Sequence, residues 1–383
     1  MRSNVQSPYY TAEHEAFRDS VRKFVQREIE PYVNAWDEAG EFPRELYKKA
    51  AAAGLLGLGY PEEYGGIPQA DRFYRIVMSQ ELCRAGSGGL SASLMSHTIG
   101  APPIRALGSK EMKARVLPEI LSGEKISALA ITEPSGGSDV AAIRTRAERK
   151  GDRYIVNGSK MFITSGMRAD YYTVAVRTGG LGRDGISFLL IERDRKGFTR
   201  TKLDKMGWWA SDTAALYFED VEVPVENLIG AENEGFKAIM MNFNDERLGM
   251  AAGATGFARV CFDEASAYAK ERQTFGQRLV DHQVIRHKLV DMAMRINASQ
   301  AYLEQCAWQV DRGERPVADL CMLKNQATQT MAFCASEAVQ IFGGAGFIRG
   351  QKVERIYREV KVNQIGGGAE EIMKDLAARQ LGL

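Results

Sequence analysis

Tyr154-Ile155-Val156-Asn157-Gly158-Ser159-Lys160-Met161-Phe162-Ile163-Thr164 is the stretch that decides the fold class. Its β-branched and aromatic residues favour a pleated strand, and Asn-Gly between two such runs predicts a hairpin turning at Asn157-Gly158. Further short β-rich runs at Tyr171 to Val176, Ile186 to Ile191 and Ala214 to Phe218 extend the pattern, so this section reads as a small barrel or sandwich. Outward in both directions the period changes from 2 to 3.6. Before Lys125, Phe17, Val21, Phe24 and Val25 recur at helical steps, Pro31 and Pro43 punctuate, and helical runs cover Phe73 to Arg84 and Lys110 to Leu121. After Gly230 the helical pattern returns, with Ile239, Phe243, Met250, Ala254, Phe257 and Cys261 on one stripe of the run from Gly235 to Arg272. Two more helices follow, broken at Gly313 to Pro316 and at Phe342 to Gly346. The expected architecture is α+β in α–β–α order: residues 1–125 helical, 126–230 strand-rich and 231–383 helical.

The bulk numbers suit a globular enzyme of several domains. The chain has 383 residues, 45% hydrophobic and 26% charged. Fifty basic and 49 acidic side chains leave a formal charge of +1, without the basic surplus that a nucleic-acid partner requires. No apolar run approaches the length of a membrane span, and Met1 to Ser7 lack a secretory pattern. The five cysteines are scattered, with no C-x-x-C pair, and read as reduced core residues of a cytoplasmic protein. His282 and His287 are five apart and do not face each other on a helix, so no metal site is expected.

Four features carry chemistry. Ile131-Thr132-Glu133-Pro134-Ser135-Gly136-Gly137-Ser138-Asp139 gathers hydroxyls, backbone donors and small residues in one loop, suited either to a flat or anionic ligand or to a plain capped turn. Glu246 falls three residues after Phe243 and four before Met250, on the apolar stripe itself. A carboxylate there is costly unless paired, neutralised or needed, which leaves a structural ion pair with Arg247 or a general base of raised pKa. Glu271-Arg272-Gln273-Thr274-Phe275-Gly276-Gln277 reads as a helix C-cap at Gly276 or as a holder of a pyrophosphate and an aromatic ring. The glycine clusters at Gln340 to Phe347 and Gln364 to Glu370 follow helical patterns, not strands, which disfavours a Rossmann site.

Taken together, from Glu13 to Arg379, the sequence resembles an acyl-CoA dehydrogenase. The resemblance rests on the Pro-Glu-Glu-Tyr-Gly-Gly loop at Pro61 to Gly66, ITEPSGGSD, ERQTFGQ, QIFGGAGF and IGGGAEEIMK, in order and at matching gaps. It implies an N-terminal helical domain, a middle β-barrel and a C-terminal four-helix bundle, with FAD as cofactor. Ile131, Thr132, Gly137 and Ser138 would contact the flavin, as would Phe162, Ile163 and Thr164, although many relatives have Trp in place of Phe162. Arg272, Thr274, Phe275, Leu279, Gln283, Gln340 and Gly344 would hold the ADP half of a neighbouring subunit's FAD, implying a homo-oligomer, usually a tetramer. Ser138, Asn244 and Arg247 would bind substrate.

Two positions depart from the commonest family pattern. Gly367 stands where many members carry the catalytic glutamate, and Ala369 where many carry a Thr near the flavin. The isovaleryl and long-chain enzymes instead place the base on the long helix just before Arg-Leu, which Glu246-Arg247-Leu248 matches. The resemblance then implies α-proton abstraction by Glu246, a thioester carbonyl held by the Gly367 N–H and a FAD ribityl hydroxyl, and electrons passed on to an electron-transferring flavoprotein. The substrate expected is a long or branched acyl-CoA, isovaleryl- or citronellyl-like chains included. A flavin oxidase or monooxygenase, which would reoxidise fast in air, and a silent flavin-binding protein, which no acyl-CoA would bleach, are the rival readings.

Overall fold

A computed structural model describes residues 7–383, and at positions 241 and 242 the backbone alone. Positions 1–6, on which most of the leader argument turns, lie outside the described residues. The N-terminal helices are α1 (Ala12–Glu28), α2 (Val33–Ala39), α3 (Glu45–Ala52), α4 (Arg72–Leu82), α5 (Gly88–Leu94), α6 (His97–Gly100), α7 (Pro102–Leu107) and α8 (Lys110–Leu121). Thr11 starts α1 through a capping box in which its hydroxyl accepts from His14 N and the His14 ring reaches back to Thr11 N. Asp71 starts α4 by accepting from Phe73 N at 2.9 Å and Tyr74 N at 3.2 Å. Val21, Phe24 and Val25 are buried, as their spacing predicts.

The strands of the middle section are β1 (Ser127–Ala130), β2 (Arg146–Lys150), β3 (Arg153–Ile163), β4 (Tyr171–Arg177), β5 (Ile186–Glu192), β6 (Phe198–Lys202), β7 (Ala214–Pro224) and β8 (Leu228–Ile229). They form one sheet in the order β6-β7-β3-β2-β4-β5-β8, with β1 parallel on β4. Its two halves meet at a single parallel pair, Arg146 with Arg177. The sheet is buried on both faces at β4: Tyr172, Val174 and Val176 join one core with α1–α3, while Tyr171 and Ala175 join another with α7 and α8.

Asn157-Gly158 is not a hairpin turn. β3 runs straight through it and stays paired with β7 on both sides, with a register shift between Val156 and Gly158. Gly158 has φ 141°, and a Cβ there would lie 2.7 Å from Thr145 Cα, so the pair forms a bulge. Asn157 serves the bulge by donating to Asp220 Oδ1 and accepting from Asp220 N. The hairpin turn instead sits at Gly151-Asp152, enclosed by the pair Lys150–Arg153, with Gly151 at φ 62°. Local turn propensity yielded to a ladder that pairs both flanks of β3 with the same neighbour.

The C-terminal section comprises α9 (Gly235–Glu271), the two-residue strands β9 (Gln273–Thr274) and β10 (Gln277–Arg278), α10 (Gln283–Asp311), α11 (Val317–Phe342), α12 (Lys352–Ile365) and α13 (Glu370–Leu381). The last run therefore divides once more, at Gly366 to Ala369, beyond the breaks read from sequence. α11 is the central helix of the bundle, its Leu320, Leu323, Ala327, Met331 and Cys334 buried against α9, α10 and α12. Among the described residues no helix is long and apolar enough to cross a membrane. The three sections lock together at Glu359 of α12, whose carboxylate accepts from Gly88 N at 2.7 Å and from Trp208 N at 3.0 Å.

Candidate active site

α9 belongs to two cores in turn. Ile239 and Phe243 pack with the sheet and α7–α8, whereas Leu248, Ala251, Ala254, Phe257 and Cys261 pack inside the bundle. Glu246 sits at the crossing, where the apolar stripe read from sequence changes partners. Its Oε2 is buried with no hydrogen-bond partner, and burial raises the carboxyl to about 7 against the opposing pull of Arg247 and Lys324. The ion-pair reading fails on geometry. Arg247 Nη1 donates to Asn244 Oδ1 at 3.0 Å, and its guanidinium lies 5.8 Å from the Phe243 ring centroid.

The loop between α12 and α13 comes to the same place. Gly367 adopts φ 63° and Gly368 φ 107°, conformations that suit glycine. A Cβ on Gly367 would lie 3.8 Å from Glu246 Oε1 and 2.4 Å from Met250 Sδ. The two positions at which the family resemblance places a base thus face one space, and only Glu246 fills it with a carboxylate.

The ITEPSGGSD loop is built from the inside. Glu133, itself buried, accepts from Arg144 N at 2.6 Å, Thr145 N at 2.8 Å and Lys160 Nζ at 2.8 Å. Lys160 also donates to Ile131 O at 2.9 Å, and Met161 N donates to Thr132 O at 2.8 Å. These bonds clamp Ile131 and Thr132 against β3 beside Phe162, Ile163 and Thr164. A Cβ on Gly137 would come within 3.0 Å of Thr132 Cγ2, while Pro134 to Asp139, Ser138 among them, are exposed. Phe162 is held at φ 62° with 67% of its surface exposed, and Ile163 beneath it is buried. An apolar ring presented on a left-handed bulge, beside a loop of small residues, is suited in shape to a flat aromatic ligand.

Gly276 does not cap α9. The helix stops at Glu271, and Phe275 (φ 50°) and Gly276 (φ 78°) form the turn of the β9–β10 hairpin. Two successive residues at positive φ make the tight turn that such a hairpin favours. Thr274 Oγ1 pairs with His282 Nε2 at 3.0 Å, Leu279 packs on the bundle core, and Arg272 and Gln283 are exposed. Tyr268, stacked on Phe342 at 4.2 Å between centroids, brings the end of α9 to the end of α11, where Gln340 and Gly344 are exposed. Phe275 is 98% exposed. This cluster lies on the bundle, whereas the hydrogen bonds that hold Ile131 to Glu133 stay within the middle section.

Sequence reasoning missed Lys324, which is buried beneath the Gly366–Gly368 loop, and the Glu133–Lys160 pair. Lys324 left a signal, a lone charge within the apolar stripe of α11. The Glu133–Lys160 pair left none, because neither residue sits on a regular apolar face.

Family models for the N-terminal, middle and C-terminal domains of acyl-CoA dehydrogenase match residues 11–124, 128–221 and 233–382. The chain belongs to the acyl-CoA dehydrogenase family. It is similar to the mitochondrial long-chain specific acyl-CoA dehydrogenase of Rattus norvegicus, 38% identical over 97% of this chain and 87% of that protein. The solved acyl-CoA dehydrogenase of Geobacillus kaustophilus superposes with a TM-score of 0.95 at 38% identity, covering 99% of this chain and 100% of that one. A chain in the structure described as the electron transferring flavoprotein of Acidaminococcus fermentans superposes with a TM-score of 0.94 at 36% identity, over 98% and 99% of the two chains. The dehydrogenase is therefore an oxidoreductase acting on acyl-CoA, in a family of FAD-dependent flavoproteins.

Proposed function

We propose that this dehydrogenase converts long or branched saturated acyl-CoA thioesters, isovaleryl- and citronellyl-like chains included, to trans-2-enoyl-CoA with FAD, and passes electrons to an electron-transferring flavoprotein. The observation that carries the reading is Glu246, whose Oε2 is buried without a hydrogen-bond partner and whose Oε1 faces the side-chain-free Gly367. The seat at Thr132, Gly137 and Phe162 fits the flavin ring. The exposed Arg272, Phe275, Gln283, Gln340 and Gly344, with the half-buried Thr274, fit the ADP half from a neighbouring subunit, which supports a homo-oligomer, a tetramer in the proposal. FAD, when bound, supplies the two-electron acceptor for the β-hydride.

The protein's own part is proton chemistry and orientation. An α-proton of a thioester is weakly acidic, so its removal requires a desolvated base and stabilisation of charge on the carbonyl oxygen. Glu246 takes the proton, and the C–H electron pair left behind forms the new double bond as the β-hydride departs. The Gly367 N–H is the proposed donor to the carbonyl oxygen. Ser138, Asn244 and Arg247 are proposed to orient the thioester. Arg247, buried beside Glu246, favours the base's ionised form. A cytoplasmic location is part of the proposal, supported by five free, buried cysteines.

An acyl-CoA panel, straight C4 to C16 plus isovaleryl and citronellyl, tests the reading by dye reduction. Turnover should be greatest on long or branched chains. A preference for straight C4, or reoxidation in air as fast as turnover with dye, would overturn it.

A further inference from the structure

α11 reaches the catalytic loop through one side chain of unexpected type. Lys324 is wholly buried in the middle of an apolar helix face, between Leu323 and Ala327 of the bundle core. Its Nζ donates to Gln364 O at 3.1 Å and to Gly368 O at 2.8 Å, bracketing Gly366 and Gly367 from both ends. The neighbouring Asn325 Nδ2 donates to Glu370 O at 2.9 Å, and Gln329 Nε2 to Glu370 Oε2 at 3.1 Å. One helix thus grips the loop from 364 to 370. Such a grip is needed, because three successive glycines lose more conformational freedom on folding than any other tripeptide and do not hold one backbone direction unaided.

A grip does not by itself require a charge. A buried ammonium costs free energy that a neutral amide donor would avoid, so its presence calls for an anion nearby. Burial has the largest effect on Lys324 and opposes its charge; Glu370 is the stronger of the carboxylates that favour it, Arg247 opposes it, and Glu246 and then Cys321 favour it more weakly. In the other direction, Arg247 and Lys324 are the cations that act on Glu246.

We propose that Lys324 is a positioning residue of the dehydrogenation site, fixing the Gly366–Gly368 backbone and supplying the buried positive charge that favours an ionised Glu246. The proposal rests on Glu246 being the base. Lys324 acts through the loop and through Glu246, with no contact to the reacting atoms required.

Lys324→Gln keeps a donor and removes the charge, whereas Lys324→Met removes both. In the flavin-loaded enzyme both variants should move the acid limb of the kcat/KM profile upward by about half a pH unit or more, since Glu246 loses a cation. Lys324→Met alone should also raise hydrogen exchange across residues 364–370 and lower kcat about tenfold, with KM little changed. An unmoved acid limb in folded, flavin-loaded variants overturns the proposal. Should Lys324→Gln fail to fold, the double variant with Glu246→Gln decides: recovery of a folded protein supports the pairing of charges, and failure to recover overturns it. Glu246→Gln alone separates this proposal from the reading beneath it. If that variant is slow while the Lys324 limb is unmoved, only the Lys324 proposal falls; if it turns over at the wild-type rate, both fall.

Discussion

Glu246→Gln preserves the shape of the side chain and removes its proton chemistry, and the structure sets two magnitudes for it. Burial raises the carboxyl from 4.5 to about 7, and a rise of about 2.5 pH units corresponds to about 3 kcal/mol. The folded state keeps a proton that the unfolded chain gives up in that window. Stability from this group is therefore complete below pH 4.5 and is lost as pH rises to 7. Glutamine does not ionise, so the variant should be more stable than the wild type at pH 8.5 by up to about 3 kcal/mol. That is about 4 °C in Tm for a chain of this length, at about 2 cal/mol/K of unfolding entropy per residue. At pH 4.5 the two proteins should melt together. Turnover should fall about a hundredfold or more, and single-turnover bleaching of the flavin by the same factor, because proton abstraction is the failing step. In the wild type, kcat/KM should fall tenfold per pH unit below about 7. The assays are differential scanning fluorimetry across pH and stopped-flow absorbance with excess acyl-CoA. Bleaching at the wild-type rate, or a Tm gain equal at both pH values, would refute the reasoning and direct attention to Glu370 and Glu371.

Three further outcomes follow from the same geometry. The purified protein should be yellow with about one FAD per chain, and Arg272→Ala should lose FAD on dialysis while its fold survives; a fully loaded, active monomer by light scattering would contradict the shared-site proposal. Gly367→Glu in the Glu246→Gln background should restore only part of the turnover, since φ 63° and Met250 Sδ at 2.4 Å oppose the new side chain; adding Met250→Ala should raise the rescue, and a lower rate in the triple variant would count against the clash. Lys160→Met leaves Glu133 buried without its cation, so it should cost about 3–5 kcal/mol in urea unfolding and weaken flavin retention, and a neutral result would show the loop to be held by its backbone bonds alone.

Regular periodicity told most where it was longest. The α–β–α order was legible because burial repeats every 3.6 residues along α1 and α9 and shortens to alternation along β3 and β7, a property each segment carries by itself. Glu246 was legible for the same reason, as a carboxylate interrupting a stripe that otherwise reads Ile239, Phe243, Met250, Ala254. β2 and β6 escaped notice: Arg146 to Lys150 and Phe198 to Lys202 bury one residue each and are charged or polar at the rest. The resemblance to the family supplied the residues proposed to hold ADP, which no periodicity marks.

What the sequence determined alone was therefore which residues must leave water, and from that the order of helices and strands and the anomaly at Glu246. The tertiary structure decided what those residues meet. It made a bulge of Asn157-Gly158 by pairing both flanks of β3 with β7, turned Phe275-Gly276 into a hairpin, and brought Gly367 of the last loop against Glu246 of α9. It also set Lys324 beneath that loop and Lys160 against Glu133. Burial is a property of one residue and its spacing, and a chain states it locally. A hydrogen-bond partner or a neighbouring charge belongs to a pair, often more than a hundred residues apart, and exists only once the intervening chain has folded.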